Sequence, residues 1–594
     1  MAAGLKLLKE LNINHPKVTF YLNLFMMGVV LLLISSFILE YGFYLSNETR
    51  ILLHQLDLLI VGVFIGEFLL KLLLSQEKKI YLKENRIAFF LIIFFLFFIF
   101  LLKNPTSPSG FIYSLDRIGI LAWPGNSIII FEIYVLTCLL LRIPQLNKAI
   151  TVLKIKPPWI VILTFVSIIA VGTLLLLLPR ATAPGKETMF MDALFTATSA
   201  TCVTGLVVLD TGSHFSLLGQ LIILSLIQVG GLGLMTFTSF FVLTLGKEFG
   251  VKDRTLLRDI LNYKSIGRIG SLVVSILIIT FTIEIVGAIF LYIQFLPYNG
   301  GGLSSAYSAI FHSISAFCNA GFSLYSDSFI KYRNDLGINL TMSSLIILGG
   351  LGFIVIVNLL RWAYGYFRHK KEPLSLQSKL VLVVSSLLII GGTALIFLAE
   401  KNGVLSAFSW KEKLLTAYFQ SVTARTAGFN TLNIGSVGIF SAFLFIIFMF
   451  IGASPGSTGG GIKTSTFATL FLTIRSMTQG KNRVEVFHRT IPPLVVYQAL
   501  CVAILALGWI ACSTLVLSLT ESAPFIDIFF EELSAFGTVG LSRGLTSQLT
   551  TAGRVVIMLS VLVGRIGPLT LALAMGRGKM KELYQYPEER IMVG

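Results

Sequence analysis

Long apolar stretches separated by short basic linkers dominate the pattern of this 594-residue chain. Four apolar runs come first, at residues 18–40, 52–75, 87–103 and 119–143. Each is close to the roughly 20 residues that an α-helix needs to cross about 30 Å of hydrocarbon. Lysine and arginine gather in the linkers after the second and fourth runs, as they do in cytoplasmic loops. The pattern predicts that residues 1–150 form an accessory four-helix transmembrane region that begins and ends in the cytoplasm.

The pattern changes after residue 150. A full-length apolar run is followed by a short mixed segment, too short to span a bilayer, and then by a second full-length run. This unit occurs four times, with basic stretches between the units. The predicted repeats are residues 151–250, 251–370, 371–485 and 486–594. The sequence therefore predicts an all-α polytopic membrane protein with four pseudo-symmetric helix–pore-helix–helix repeats behind an N-terminal four-helix region.

Composition supports the membrane assignment. Hydrophobic residues make up 55% of the chain and charged residues only 13%, which is too little charge to cover a soluble protein of this size. The formal net charge of +17 is spread over loops and forms no single patch, so the expected partner is the lipid bilayer and not nucleic acid. The five cysteines lie in or beside apolar segments without a CxxC spacing, and we expect small buried residues with no disulfide or metal role: Cys138, Cys202, Cys318, Cys501 and Cys512.

The four short segments end in the same small-residue signature, and each closes on a glycine. These glycines are Gly205, Gly321, Gly428 and Gly540, spaced by 107 to 116 residues. A helix C-terminus carries about half a negative charge, and a glycine turn can aim peptide carbonyls at an axis. Carbonyl oxygens can replace the hydration shell of a cation, so the pattern predicts an ion filter around a central pore. Packing glycines would explain one such turn but not four in register.

The predicted filter residues are those that lead into the four glycines. They are Cys202, Val203, Thr204 and Gly205 in the first repeat, Cys318, Asn319, Ala320 and Gly321 in the second, Thr426, Ala427 and Gly428 in the third, and Thr538, Val539 and Gly540 in the fourth.

Two further glycine motifs lie in the second long runs of the first two repeats. Residues 230–233 and 349–352 both read Gly-Gly-Leu-Gly. Neither follows a strand or has the spacing of a dinucleotide-binding loop. Because both lie inside apolar runs, we interpret them as sites of close helix packing.

The second run of the third repeat, residues 434–475, is interrupted at 452–464. Six glycines or prolines within ten residues cannot sustain a helix, so we expect an intramembrane loop in the pore below the filter. The alternative is a purely structural kink.

Arg565 lies deep in the last predicted span, residues 552–575, where a cation is expensive and normally faces a cavity or a partner. A pairing with an acidic neighbour that only holds helices together is the alternative. Arg425 precedes the third turn, and we expect it to support the filter and to pair with Glu531 or Glu532. His312 and His214 have no companion ligands, and no chemistry is assigned to them.

These motifs resemble the membrane subunit of the Trk/Ktr/HKT superfamily of potassium transporters over about residues 157–594. The resemblance lies in the segments TCVTGL, FCNAGF, ARTAGFNT, FGTVGLS, GASPGSTGGGIKTST, RIGPLT and YPEERIMVG. It implies potassium uptake by a protein that is not an enzyme, and the glycine at position 205 implies preference for potassium over sodium. It also implies a gate formed by Gly456, Ser457, Thr458, Gly459, Gly460, Gly461, Lys463 and Arg565.

The resemblance further implies a homodimer in the bacterial inner membrane, with both termini in the cytoplasm. Potassium is the expected permeant ion and sodium a candidate activator. A cytoplasmic regulatory ring of the RCK/KTN type, binding NAD or ATP/ADP, is the expected partner. The chain itself has no Walker motif or Rossmann unit and needs no organic cofactor.

Three alternatives remain open at the level of sequence. A coupled transporter of an organic solute would favour inverted repeats, whereas these units are parallel. An intramembrane enzyme would need a motif such as HExxH or a pair of intramembrane aspartates, and neither is present. The N-terminal region, with Asp57, Glu67 and Lys71 in its second run, loosely resembles a voltage sensor. Its fourth run has few gating charges, only Arg142 near its end with Arg117 upstream of the run, which favours an accessory or degenerate bundle.

Overall fold

The computed structural model of the chain describes residues 16–74, 78–86, 89–90, 92–93, 157–245, 269–369 and 373–575. The chain divides into two compact units, residues 1–154 and 155–594. The predicted span 119–143 and nearly all of the predicted span 87–103 lie outside the described residues. The C-terminal segment that carries YPEERIMVG lies outside them as well.

The first unit contains the helices Pro16–Gly42, Asn47–Leu74 and Lys78–Glu84. The first two pack through a shared apolar core that includes Leu33 and Phe64. Asp57 and Glu67 are buried, and Lys71 lies 2.8 Å from Glu67 one helical turn away. The arginines that voltage sensing would require, Arg117 and Arg142, lie outside the described residues.

The second unit repeats the order first helix, pore helix, second helix four times. The first repeat has Pro157–Leu176, Phe190–Thr201 and Leu217–Leu245, with a short helix Thr211–His214 after the turn. The second has Ile269–Asn299, Gly302–Phe317 and the pair Leu336–Leu351 and Phe353–Phe367. The third has Leu376–Glu400, Trp410–Thr423 and the pair Ile439–Phe450 and Thr464–Thr478, followed by a hairpin of the strands Val484–Val486 and Arg489–Ile491. The fourth has Pro493–Thr520, Phe525–Phe536 and the pair Thr551–Ile566 and Pro568–Met575.

The first helix of every repeat is a membrane span by length and hydropathy. Four helices among the described residues pass this test unaided, one in each repeat, and a bent pair in the second repeat can count as a fifth. The pore helices have 12 to 16 residues, too short to cross, as the mixed pattern of those segments predicts. The all-α polytopic fold is therefore confirmed for the described part of the chain.

The second helices are broken near one equivalent position, which corrects two predicted spans. The second long run of the second repeat, residues 339–367, is expected from its length to cross the membrane as one helix, but that helix ends at Leu351, and the next one departs at 102°. The predicted span 552–575 breaks in the same way at Gly567. Gly352 and Gly567 both have a φ of +90°, a conformation that glycine adopts at low cost. In the first repeat Gly233 kinks the helix with a φ of 2° and a ψ of −114°.

The glycine three residues before each of these breaks packs against a pore helix. A Cβ atom placed on Gly230, Gly349 or Gly564 would collide with the carbonyl oxygen of the last residue of the pore helix. Those oxygens belong to Thr201, Phe317 and Phe536. The close-packing interpretation of the glycine motifs is confirmed, and the same Gly-x-x-Gly spacing recurs at residues 564–567, where the sequence pattern was not recognised.

Polar contacts on the pore-helix side join neighbouring repeats. Arg554 of the fourth repeat lies 2.6 Å from Asp192 on the first pore helix. Tyr307 of the second repeat donates to Gln220 of the first at 2.9 Å. Apolar clusters also cross the repeat boundaries, so the four repeats form one closed assembly.

The cysteine prediction is only partly correct. Cys202 and Cys318 are buried, but Cys501 and Cys512 are exposed on the long helix Pro493–Thr520. An apolar helix that faces lipid exposes its small residues as readily as its large ones, so the apolar context did not imply burial. Cys138 lies outside the described residues.

Candidate ion-conduction site

The four predicted filter turns share one backbone conformation. Each filter glycine has a positive φ: +90° at Gly205, +71° at Gly321, +78° at Gly428 and +90° at Gly540. The residue two positions earlier also has a positive φ: +58° at Val203, +60° at Asn319, +80° at Thr426 and +48° at Thr538. Three of these four residues are β-branched, for which the left-handed region is a costly outlier. The conformation must therefore be held in place by the surrounding structure.

The four turns meet one another in a closed cycle. A Cβ atom placed on a filter glycine would run into the carbonyl oxygen just before the glycine of a neighbouring turn. Gly205 faces Ala320, Gly321 faces Ala427, Gly428 faces Val539, and Gly540 faces Thr204. The same Cβ atoms would lie only 3.0 to 3.2 Å from the Cα atom of the facing glycine. Any side chain at these positions would strike peptide backbone, and the small cross-section of the cycle brings backbone oxygens from all four turns together.

A hydroxyl near the end of each pore helix holds its turn, and the sequence analysis assigned these hydroxyls no role. The backbone N–H groups of Gly205 and Gly540 donate to the hydroxyls of Ser199 and Ser534, at 3.1 Å in both repeats. In the other two repeats the hydroxyl donates to the carbonyl just after the glycine. Ser315 reaches Phe322 at 2.8 Å, and Thr423 reaches Phe429 at 2.7 Å. The recurrence of Ser or Thr five or six residues before the filter glycine in all four segments was the available signal.

The interrupted second helix of the third repeat forms a closed loop. The helix ends at Phe450 and a new one begins at Thr464. Ile451 and Ile462 pair through a bridge at the neck of the loop, and the N–H of Thr464 donates to the carbonyl of Ala453 at 3.2 Å. Because the two ends of the loop are hydrogen-bonded to each other, the residues between them form one closed segment. Its tip comprises residues 456–461, six of the predicted gate residues.

The loop contacts residues of the filter turns directly. The N–H of Gly460 donates to the Thr538 hydroxyl at 2.9 Å. A Cβ atom on Gly459 would strike the side chain of Thr426. The Thr426 hydroxyl in turn lies 3.1 Å from the Asn319 side-chain amide. The left-handed residues of three turns are thus linked to each other or to the loop.

The loop is also tied to the pore-helix end and to the broken helix of the second repeat. The Thr458 hydroxyl donates to the carbonyl of Phe317 at 3.3 Å. The N–H of Phe353, just after the break in that helix, donates to the carbonyl of Gly456 at 3.0 Å. The break at Gly352 therefore supplies a free donor that the loop satisfies.

Two cations, the buried Arg565 and the half-buried Lys463, hold the loop through its carbonyl groups. Arg565 donates to the carbonyls of Thr458 in the loop and Gly230 in the first repeat. Arg565 therefore lies beside the loop, as expected. Because both of its partners are peptide oxygens, the alternative of an acidic partner is not supported. The Lys463 ammonium donates to the carbonyl of Gly459 at 2.6 Å. Residues of the second, third and fourth repeats therefore contact the loop directly, and the first repeat contributes through Gly230, which binds Arg565.

Arg425 does not pair as expected. Its guanidinium donates to the Ser385 hydroxyl on the first helix of its own repeat, at 3.0 Å. Glu531 accepts instead from Ser542 and Thr546, each at 2.5 Å, and Glu532 accepts from Ser513 at 2.6 Å. Hydroxyls on nearby segments therefore bind one oxygen of each carboxylate, and the predicted pairing with Arg425 is wrong.

The fold and the closed cycle of turns define a polytopic α-helical membrane transport protein. Residues 140–581 match the TrkH family model, which is described as a cation transport protein. The chain therefore belongs to the TrkH family of cation transport proteins, and the expectation that it is not an enzyme is confirmed by that membership.

Curated relatives and a solved structure agree with this assignment. The chain is 38% identical over 452 residues to the Ktr system potassium uptake protein B of Bacillus subtilis, covering 76% of this chain and 99% of that protein. It is 38% identical over 448 residues to the potassium/sodium uptake protein NtpJ of Enterococcus hirae, covering 74% and 98% respectively. The crystal structure of the potassium transporter TrkH from Vibrio parahaemolyticus matches with a TM-score of 0.57 at 19% identity, covering 83% of this chain and 97% of that one. At that identity the structural match supports the fold alone.

Proposed function

We propose that this chain mediates potassium uptake across the bacterial inner membrane through a filter formed by the four turns. The observation that carries the proposal is the closed cycle in which each filter glycine faces a neighbouring carbonyl. Four carbonyl-bearing turns from one chain are suited to replacing the hydration shell of a weakly hydrated cation. The pore helices end at these turns, so their C-terminal dipoles favour a cation there. The names of the Bacillus and Enterococcus relatives support potassium as the transported ion.

In this proposal the loop at 452–464 is the gate. It lies against Thr426 and Thr538, and Arg565 and Lys463 hold it through its carbonyls. A segment rich in glycine can change conformation at low steric cost. The positive charges of Arg565 and Lys463 also oppose the passage of another cation while the loop is in place. Opening requires the loop to leave these contacts.

Sodium and the regulatory partner belong to the same proposal. The Enterococcus relative is named a potassium/sodium uptake protein, which supports sodium as a second transported ion or an activator. The Bacillus relative is named as protein B of a Ktr system, which supports a separate component of that system. We infer that this component lies in the cytoplasm. We infer that this component is an RCK/KTN-type ring binding NAD or ATP/ADP. We also infer that the membrane protein acts as a homodimer with both termini in the cytoplasm.

Replacing Gly205 with serine should lower the preference for potassium over sodium by roughly tenfold, equivalent to about 1.4 kcal/mol. The new Cβ atom would press on the carbonyl of Ala320, so the cycle must widen or tilt, and the φ of +90° strains any residue other than glycine. The measurement is competition between rubidium and sodium uptake in a potassium-uptake-deficient bacterium expressing the full chain. An unchanged ratio in a variant that reaches the membrane at normal abundance would contradict the filter assignment.

Replacing Thr538 with valine should raise uptake by roughly fivefold, because valine keeps the β-branched shape but loses the hydroxyl that Gly460 donates to. One lost hydrogen bond of about 1 kcal/mol shifts a closed-to-open ratio by about that factor. Thr538→Ser retains the hydroxyl and is the matched control, with uptake expected near that of the unaltered chain. Equal uptake by the valine and serine variants would remove Thr538 from the gate mechanism.

A further inference from the structure

One position on the pore helices carries a buried polar residue in every repeat. It lies three residues before the hydroxyl that holds the turn, on the next turn of the same helix. The residues at this position are Thr196, His312, Gln420 and Glu531, and all are at most 1% exposed.

In three repeats this residue reaches the chain just after the filter. His312 Nε2 lies 3.2 Å from the Ser323 hydroxyl and accepts from the N–H of Leu324 at 3.3 Å. Gln420 donates to the Thr431 hydroxyl at 3.3 Å. Glu531 accepts from the Ser542 hydroxyl at 2.5 Å. In each of these three repeats the two partners are 11 residues apart in sequence and lie on either side of the filter glycine, although the pair in the third repeat is shifted by one residue relative to the glycine.

In the first repeat neither the pore-helix residue nor the residue after the filter makes this contact. Thr196 donates to the carbonyl of Asp192 within its own helix, at 2.8 Å. The residue 11 positions after Thr196 is Val207, whose side chain can neither donate nor accept a hydrogen bond. Among the described residues, the first turn therefore keeps the Ser199 hydroxyl but has no second side-chain contact of this kind, whereas each of the other three is held on both its pore-helix side and its outgoing side.

We propose that His312, Gln420 and Glu531 are positioning residues that fix the outgoing ends of three filter turns. They do not touch the permeant ion; they set the direction of the carbonyls that do. The inference rests on the proposed filter and adds a determinant of its selectivity to it. Because the first turn has no such residue, it is the turn most able to shift when a different ion enters.

Glu531 is the most informative member, since two hydroxyls converge on one of its oxygens. Ser542 and Thr546 both donate to Oε1, each at 2.5 Å. Gln at this position keeps that carbonyl oxygen in place, whereas Leu leaves both hydroxyls without their acceptor. Glu532 is the matched control, because it is equally buried on the same helix but accepts from Ser513, away from the filter exit.

The test compares Glu531→Leu, Glu531→Gln and Glu532→Leu in the full chain, by rubidium-against-sodium competition in the uptake-deficient bacterium. We expect Glu531→Leu to lower the potassium-over-sodium ratio by roughly five- to tenfold, since a buried hydrogen-bonded carboxylate is lost. Glu531→Gln should restore most of the ratio, and Glu532→Leu should leave it unchanged even where abundance falls. An unchanged ratio in Glu531→Leu, or an equal loss in Glu532→Leu, would overturn the proposal.

A second arm removes the partner hydroxyls with smaller changes that folding tolerates more readily. Thr431→Val and Ser542→Ala should each lower the ratio, and Ser542→Ala should add little in a chain that already carries Glu531→Leu. Unchanged ratios in both single variants would also overturn the proposal. Gly205→Ser serves as the reference in every assay: if it alone lowers the ratio, the filter stands and the positioning role fails. If it too leaves the ratio unchanged, the proposed function itself fails.

Discussion

Replacing Gly428 with alanine should abolish selective potassium uptake, with a loss of roughly a hundredfold or more. The methyl group would lie 2.5 Å from the carbonyl oxygen of Val539 and 3.2 Å from the Cα atoms of Gly321 and Gly540. These neighbours are backbone atoms of other turns and cannot rotate aside. The φ of +78° adds a strain of about 1 to 3 kcal/mol for any other residue. Initial rates of rubidium uptake in the deficient bacterium measure the effect.

Gly391→Ala is the matched control for this substitution. Gly391 lies on the first helix of the same repeat, and an added Cβ atom there meets nothing within 4 Å. Alanine also favours the helix by about 1 kcal/mol over glycine, so the control should fold at least as well as the unaltered chain. Normal uptake by the Gly428→Ala protein would show that the turns do not line the ion path.

Deleting residues 456–461 should raise potassium flux by roughly tenfold. The deletion removes the part of the loop that contacts Thr426 and Thr538, and with it the Thr458 carbonyl that Arg565 holds. The neck of the loop, where Ile451 pairs with Ile462, remains, so the two helices that flank the loop keep their junction. Charge-assisted hydrogen bonds of about 1.5 to 3 kcal/mol stabilise the closed loop, and their loss shifts the population towards conduction.

A second variant separates loss of the gate from damage to the fold. Arg565→Gln leaves the loop at full length but removes its buried cation, and flux should rise in the same direction. Both variants are compared at equal membrane abundance, with Gly391→Ala as the reference for an unaltered gate. A flux that stays level or falls in both variants, with each protein properly folded, would exclude the loop as a gate.

The four filter turns could be read from the sequence because their signature is local. Glycine at a turn, small residues before it and a short helix ahead of it are all fixed by adjacent positions. Closure of the turns into a cycle was inferred from repetition. The break in the third repeat was equally readable, since six glycines or prolines within ten residues leave no alternative to a loop.

The breaks in the other second helices were not readable by the same means. An apolar run around Gly352 or Gly567 has the hydropathy of an unbroken span. Hydropathy carries no information on whether the helix axis changes direction within the run. The decisive signal was the Gly-x-x-Gly spacing, which was recognised at residues 230–233 and 349–352 but interpreted only as packing. Its second glycine is the one that bends the chain.

The partners of the buried charges were the least predictable part. Opposite charge suggested that Arg425 would meet Glu531 or Glu532, yet the side-chain partners of these carboxylates are hydroxyl groups. His312 had no companion ligand in the sequence, and its role depends on Ser323, 11 residues further on and folded back behind the turn. Such pairs become visible only when the repeats are superimposed in three dimensions.

The last filter turn, at Gly540, contacts the first turn at Thr204, so the ring can close only after the whole chain has been synthesised. The first quarter of the ring leaves the ribosome long before the last, and Arg565 must still find Gly230 across 335 residues of chain. Until then the four repeats do not form a closed assembly, and the polar filter turns of the early repeats face the bilayer without their neighbours. Unsatisfied backbone groups are costly in hydrocarbon. The early segments must therefore be protected from lipid during biogenesis. A chain truncated within its last quarter should be degraded and should not remain in the membrane as a leaky channel.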